Sequence, residues 1–180
     1  IISSTLGVAQ VAVFSVVQRL FQFATQPLSM LNAPLWGAYA DAHARHDKLF
    51  IRKTLKHSLV ITLAGAGLGG SLLLLLHPWL LAEWTHDKIE APLSFVVLYA
   101  VWIIFDAVGN AFAMFLNGTG IVRQQVLVTM MFVVLVFPLK LALISSVGMV
   151  AIPMATVVAY LITHVGLYGF VFRKEIVQQI

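Results

Sequence analysis

Polar side chains recur at helical spacing inside an apolar stretch near the start of this 180-residue chain. Ser15, Arg19, Gln22, Gln26 and Ser29 follow one another at intervals of four, three, four and three residues. That spacing is the period of an α-helix, so the five side chains share one face. Most of the surrounding residues are valine, phenylalanine, leucine and alanine. The pattern predicts an apolar helix with a single polar stripe.

The same arrangement returns in the middle of the chain. There the residues that share a helical face are Tyr99, Trp102, Asp106, Asn110, Ala113 and Asn117. Later segments add one lysine within the apolar run FPLKLAL, and then a set of polar and aromatic residues spaced four apart. The lysine is Lys140, and the residues spaced four apart are Thr156, Tyr160, His164 and Tyr168. At least three helices are therefore predicted to carry polar faces.

Five apolar segments reach the ~20 residues that a helix needs to cross ~30 Å of hydrocarbon. Unbroken runs of this length do not fit the ~10-residue strands of a membrane barrel, and lipid offers the backbone no other hydrogen-bonding partner. The predicted fold class is an all-α integral membrane protein with five transmembrane helices. They are placed at about 8–39, 58–82, 93–116, 126–145 and 149–172, with a loop at 41–57.

Two features of helix shape and packing are also expected. The first segment is longer than a span requires, and Pro27 and Pro34 are predicted to kink or tilt it. In the second segment, Gly65 and Gly69 have the four-residue spacing that lets a neighbouring helix approach closely.

Composition supports a lipid environment. Hydrophobic residues make up 61% of the chain and charged residues 10%, whereas soluble domains carry roughly 25% charged residues. The absence of cysteine excludes disulfides and thiolate metal sites. The net charge of +4 is concentrated between the apolar segments, so we expect no nucleic acid partner.

The basic residues predict an orientation. Arg45, Lys48, Arg52, Lys53 and Lys56 lie in the 41–57 loop, whereas the next connection holds Lys88 beside three acidic residues. Basic loops remain on the cytoplasmic side of a membrane. We therefore expect the loop and the C-terminus to face the cytoplasm, with the N-terminus outside. A start at Ile1 without a signal peptide leads us to expect a fragment of a longer protein.

Charged residues at membrane depth require an explanation, because an arginine there costs ~2.5–3.5 kcal/mol. One interpretation is a buried ion pair between Asp106 and an arginine or lysine. The other is an aqueous passage with a cationic lining, since arginine suits phosphate and carboxylate groups. The predicted lining residues are Arg19, Gln22, Gln26, Tyr99, Trp102, Asp106, Asn110, Lys140, Tyr160 and His164.

Other chemistry is not expected. The string His43, His46 and Asp47 resembles metal ligands but lacks the further convergent groups that a site needs. The sequence shows no nucleophile motif, phosphate loop or paired carboxylates, so we predict no enzyme activity and no cofactor. Asp106 or His164 is a candidate for coupling transport to protons, and membrane lipids are expected partners.

Two stretches, AVFSVVQRLFQF and LNAPLWGAYADAHARHDKLFIRKTLKHSL, carry a resemblance to a known family. They resemble polysaccharide (lipid-linked oligosaccharide, O-antigen) flippases of the multidrug/oligosaccharidyl-lipid/polysaccharide exporter superfamily. FLNGTGIVRQQ, FPLKL and GMVAIPMATVVAYL resemble later helices of that family, so nearly the whole chain is covered. The residues matching the family pattern are Gln18-Arg19-Leu20, Leu35-Trp36, Tyr39, Asp41 and His46-Asp47, with His46 in place of the usual glycine.

The resemblance implies that residues 1–180 are part of the C-terminal helix bundle of a larger transporter, completed by an N-terminal bundle of the same chain. It also implies alternating access and the flipping of a polyprenyl-pyrophosphate-linked oligosaccharide for surface polysaccharide synthesis. Alternatives remain open: a multidrug or cation antiporter of the same superfamily, a peptidoglycan lipid II flippase, or a membrane assembly subunit that transports nothing.

Overall fold

The chain folds almost entirely into helices. The computed structural model describes residues 7–86 and 89–180, and this part of the chain contains no β-strand. The all-α part of the predicted fold class is therefore confirmed. In order, the elements are α1 Val8–Asn32, α2 Leu35–Ala44, α3 Lys48–Thr85, α4 Leu93–Gly118, α5 Val122–Val147, a 3₁₀ turn Gly148–Val150, α6 Ala151–Tyr160, a π-helix Leu161–Val171, and α7 Arg173–Gln179.

Three stretches of the described chain are long and apolar enough to cross a membrane: Lys48–Thr85, Leu93–Gly118 and Val122–Val171. Four of the five predicted spans fall within them. Helix α1, which carries the first polar stripe, lies outside these three stretches. The finding supports the prediction of a membrane protein with transmembrane helices.

The segment predicted as a loop at 41–57 is mostly helical. Helix α2 runs to Ala44 and α3 begins at Lys48, which leaves only a tight turn between them. The Asp47 side chain accepts a hydrogen bond from the Phe50 backbone N–H at 2.9 Å and so caps α3. The prediction took charged residues as a sign of a loop, but lysine, arginine and leucine are good helix formers.

The stretch Val122–Val171 folds back on itself. The Phe132 and Tyr160 rings lie 6.3 Å apart, although a continuous helix would separate two such positions by ~42 Å. The reversal occurs at Gly148, which has φ 60° and ψ −138°. Glycine tolerates this left-handed region without the steric penalty of a side chain. Helix α5 therefore packs antiparallel to α6 and the π-helix.

Two apolar clusters lie at opposite ends of α4. The first includes Phe21, Phe95 and Tyr99, all buried. The second joins Tyr39 and Phe115 to buried residues of α3 and α7. Between them, α4 is lined by polar and small residues from Trp102 to Ala113. The apolar clusters thus bound a polar middle layer.

Helix α1 packs closely on α3. A Cβ placed at Gly69 would lie 3.1 Å from the Ala24 Cβ, as expected from the glycine spacing. Towards the end of α1, the buried Asn32 side chain joins both helices. Its Nδ2 donates to Thr62 Oγ1 at 2.9 Å, and its Oδ1 accepts from Ser58 Oγ at 2.9 Å. These contacts fix the position of the polar face of α1 relative to the bundle.

Candidate functional site

A cavity of about 670 Å³ occupies the polar middle layer. Its walls come from five elements. Helix α1 contributes Gln22, Thr25, Gln26 and Ser29; α4 contributes Trp102, Asp106, Ala107, Gly109, Asn110, Phe112, Ala113 and Leu116; α5 contributes Gln125, Thr129 and Phe132; and α6 with the π-helix contributes Tyr160, His164 and Tyr168.

The α1 wall is a row of amides and hydroxyls. Thr25 Oγ1 and Ser29 Oγ donate to backbone carbonyls of their own helix, at 3.4 Å and 2.8 Å. Their remaining lone pairs are free to accept. The Gln22 and Gln26 side chains are exposed. A primary amide both donates and accepts hydrogen bonds, so this wall suits neutral polar ligands.

Two amide oxygens facing this layer have no protein partner. Asn110 Oδ1 and Gln125 Oε1 are buried, and neither accepts a hydrogen bond within the described part of the chain. A buried acceptor left unpaired costs ~1–3 kcal/mol. A ligand or water that donates hydrogen bonds at these two positions would remove that cost.

The opposite wall is aromatic. The Tyr160 and His164 rings stack with centroids 4.2 Å apart and planes 7° apart. Trp102 meets Tyr160 edge to face at 5.7 Å. Gly109 of α4 has no side chain, and this leaves room for the Tyr160 hydroxyl, which packs against the Gly109 backbone. The cavity therefore offers flat apolar faces opposite hydrogen-bonding groups.

His164 lies within hydrogen-bonding distance of a neighbouring hydroxyl. Thr163 Oγ1 donates to the Ala159 carbonyl at 2.8 Å and lies 3.1 Å from His164 Nδ1. An imidazole nitrogen donates or accepts according to the tautomer of the ring.

Seven of the ten predicted lining residues meet at this cavity: Gln22, Gln26, Trp102, Asp106, Asn110, Tyr160 and His164. Arg19, Tyr99 and Lys140 are not among its lining residues. Asp106 is the one charged side chain in the described lining. The described lining of this cavity thus holds one acidic group and no lysine or arginine, and a role for Arg19 and Lys140 in a cationic lining stays a prediction.

The three outlying residues have different surroundings. Arg19 is exposed and lies one helical turn beyond Gln22, past the end of the cavity. Tyr99 is buried in the first apolar cluster, with its ring 5.6 Å from that of Phe21. Lys140 is eight residues beyond Phe132 along α5, or ~12 Å. The alternative interpretation, an ion pair between Asp106 and a base, is not formed among the described residues, where Arg45 and Asp41 make the one salt bridge.

The predicted site missed the contribution of α5. Gln125, Thr129 and Phe132 are spaced four and three apart and line the cavity together. Their spacing was a usable signal. Gln125 lies just before residue 126, where the predicted helix begins, so the predicted stripe did not include this face.

The described residues contain no group of three or more His, Asp or Glu side chains arranged to hold a metal ion. Comparisons with protein-family models, with curated proteins and with solved structures give no match for the chain.

Proposed function

We propose that this chain forms one side of a membrane pathway that carries a lipid-linked oligosaccharide, with the sugars in the cavity. The observation that carries the proposal is the composition of the lining. Amides and hydroxyls on α1, α4 and α5 face aromatic rings of α4, α5, α6 and the π-helix. Sugar hydroxyls donate and accept hydrogen bonds, and the apolar faces of pyranose rings pack on aromatic rings.

The size of the cavity also suits such a ligand. Small-molecule pockets span ~300–1,000 Å³, and this cavity measures about 670 Å³. Sugar units fit within it, while a polyprenyl tail would stay in the surrounding lipid. The unpaired acceptors Asn110 Oδ1 and Gln125 Oε1 match the hydroxyl groups of such a ligand.

The finer parts of the proposal follow from the sequence resemblance. The chain would be part of the C-terminal bundle of a flippase in the bacterial inner membrane, with the 41–57 segment cytoplasmic. An N-terminal bundle of the same protein would supply the other side of the pathway, and alternating access would move the glycan outward. The predicted absence of enzyme activity belongs to the same proposal.

A second candidate is a multidrug or cation antiporter of the same superfamily. One specific observation favours it: Asp106, an exposed carboxylate, is the single charged group in the described lining. A carboxylate in an aromatic-walled cavity attracts organic cations. The extensive amide and hydroxyl lining goes beyond what such a ligand needs, and we therefore place the glycan first.

Complementation tests the first proposal. The full-length protein is expressed in a bacterial strain that lacks its lipid-linked glycan flippase, and surface polysaccharide is quantified. We expect Trp102→Ala to lower export by at least about tenfold, because an aromatic anchor inside a binding cavity carries much of a ligand's binding energy. Trp79→Ala is the matched control, since Trp79 is 63% exposed on α3 and does not line the cavity.

The same strains separate the two candidates. Efflux of a cationic dye is measured beside polysaccharide export, with Asp106→Asn as the added variant. If the protein transports the glycan, we expect Asp106→Asn to lower polysaccharide export less than Trp102→Ala does. We also expect no dye efflux in any of the strains. Dye efflux that disappears in Asp106→Asn, without any restored polysaccharide, would replace the glycan proposal with the antiporter. If the wild type shows neither polysaccharide export nor dye efflux, the result favours a non-transporting subunit.

A further inference from the structure

The end of the bundle at the second apolar cluster gathers most of the positive charge of the chain. Three segments far apart in sequence meet there, because Ile51 and Leu55 of α3, Ile121 before α5 and Ile176 of α7 belong to that cluster. Lys48 Nζ also donates to the Gln178 carbonyl at 2.6 Å, which fixes α7 beside the start of α3. We call the exposed bases around this cluster the basic end: Arg45, Lys48, Arg52, Lys53, Lys56, Arg123, Arg173 and Lys174.

Acidic neighbours neutralise little of this charge. The basic end holds eight of the eleven lysines and arginines of the chain. The acidic side chains near it are Asp41, Asp47 and Glu175. Asp41 is paired with Arg45 at 2.7 Å, and Asp47 caps α3. Within the described residues, the other bases form no salt bridge.

The first turns of α3 are arranged to present these charges outward. Lys48, Arg52 and Lys56 are spaced four apart and share one exposed face. Ile51 and Leu55 lie on the adjacent face and are buried in the second apolar cluster. This part of α3 is therefore amphipathic, with a cationic outer side.

Exposed apolar side chains accompany the bases. Leu49 is 63% exposed and Phe50 is 40% exposed, next to Lys48 and Lys53. A surface that offers bases and apolar side chains together matches the boundary between phosphate headgroups and acyl chains. A soluble polyanion would use the bases and leave Leu49 and Phe50 in water.

We propose that the basic end binds the headgroups of anionic phospholipids, and that it does so through both α3 and the start of α7. The phosphates accept charge-assisted hydrogen bonds from the lysine and arginine side chains, while Leu49 and Phe50 enter the acyl boundary. Each base near the surface adds to the attraction of anionic lipid. This proposal is independent of what the cavity carries.

Native mass spectrometry of the full chain in detergent tests the proposal by titration with phosphatidylglycerol or phosphatidylcholine. Arg52→Gln/Lys53→Gln and Arg173→Gln/Lys174→Gln each remove two charges from the basic end. We expect each pair to weaken phosphatidylglycerol binding roughly thirtyfold. Arg19→Gln/Lys140→Gln removes two charges elsewhere and is expected to leave binding unchanged. The swaps Arg52→Lys/Lys53→Arg retain charge and are expected to retain binding.

Three results would overturn the proposal. The first is equal binding of phosphatidylcholine and phosphatidylglycerol by the wild type. The second is an equal loss in all three charge-removing pairs, which would show an effect of net charge alone. The third is displacement of the lipid by inorganic phosphate or a short oligonucleotide at matched phosphate concentration, which would identify the basic end as a site for soluble anions.

Discussion

At the scale of single residues, the turn between α2 and α3 rests on an unusual backbone conformation. His46 has φ 58°, in the left-handed region where a side chain clashes with the neighbouring carbonyl. The Asp47 backbone N–H donates to the Ala42 carbonyl at 2.9 Å, so the turn is hydrogen-bonded in this conformation. Glycine would adopt this conformation without the steric penalty that a side chain carries.

Replacing His46 with glycine is expected to raise the free energy of unfolding by roughly 1 kcal/mol, because glycine avoids the left-handed penalty. The measurement is unfolding of the purified chain in mixed micelles with increasing dodecyl sulfate. His43→Gly is the control: His43 lies within α2, where glycine costs ~1 kcal/mol of helix stability. Changes of the same sign in both variants would contradict the strain at His46.

At the scale of helices, α2 and α4 cross at a point where only glycine fits. A Cβ at Gly118 would contact the Tyr39 Cβ and would lie 2.8 Å from the Trp36 carbonyl oxygen. The second contact is with backbone, which cannot rotate away as a side chain can. The crossing also brings Tyr39 against Phe115 at 5.8 Å, so it joins α2 to the second apolar cluster.

Gly118→Ala is expected to destabilise the chain by ~1–3 kcal/mol, because the two helices must separate to admit a methyl group. Gly37→Ala provides a matched control on α2. No atom lies within 4 Å of a Cβ built at Gly37, so alanine there is expected to stabilise the helix by ~1 kcal/mol. The same unfolding titration measures both. A Gly118→Ala variant as stable as Gly37→Ala would rule out this close approach.

Much of the helical architecture was predictable from local sequence. The apolar run 93–116 and helix Leu93–Gly118 nearly coincide, because composition and backbone requirements act over the same residues. The segment 41–57 was harder, since its helix is supported by burial of Ile51 and Leu55 against residues far away in sequence. Local charge indicates solvent exposure there, but exposure alone does not distinguish a loop from one face of a helix.

At the scale of the whole molecule, the cavity was predictable where its walls carry a continuous helical stripe. Gln22, Gln26, Asp106 and Asn110 were found from spacing alone. Spacing defines a face but not the depth at which a cavity ends, which depends on packing in the first apolar cluster. That is why Tyr99 and Arg19 share a stripe with lining residues and yet lie outside the cavity.

The reversal at Gly148 makes a prediction about long-range proximity. Cysteines introduced at Phe132 and Tyr160 are expected to react together with a short thiol cross-linker, because their rings lie 6.3 Å apart. The chain has no native cysteine to interfere. Lys56→Cys/Trp84→Cys has the same sequence separation within the uninterrupted α3, where ~42 Å divides the two positions. Equal intramolecular cross-linking in both pairs, or none in the first, would contradict the hairpin.

The length of α3 has a mechanical consequence. Its 38 residues extend ~57 Å, whereas bilayer hydrocarbon is ~30 Å thick. Even at the steep end of observed tilts, ~40°, the rod still spans ~44 Å along the normal, which leaves an overhang of ~14 Å. In a thinner bilayer the overhang grows. The number of α3 residues exposed to water would therefore report the thickness of the membrane.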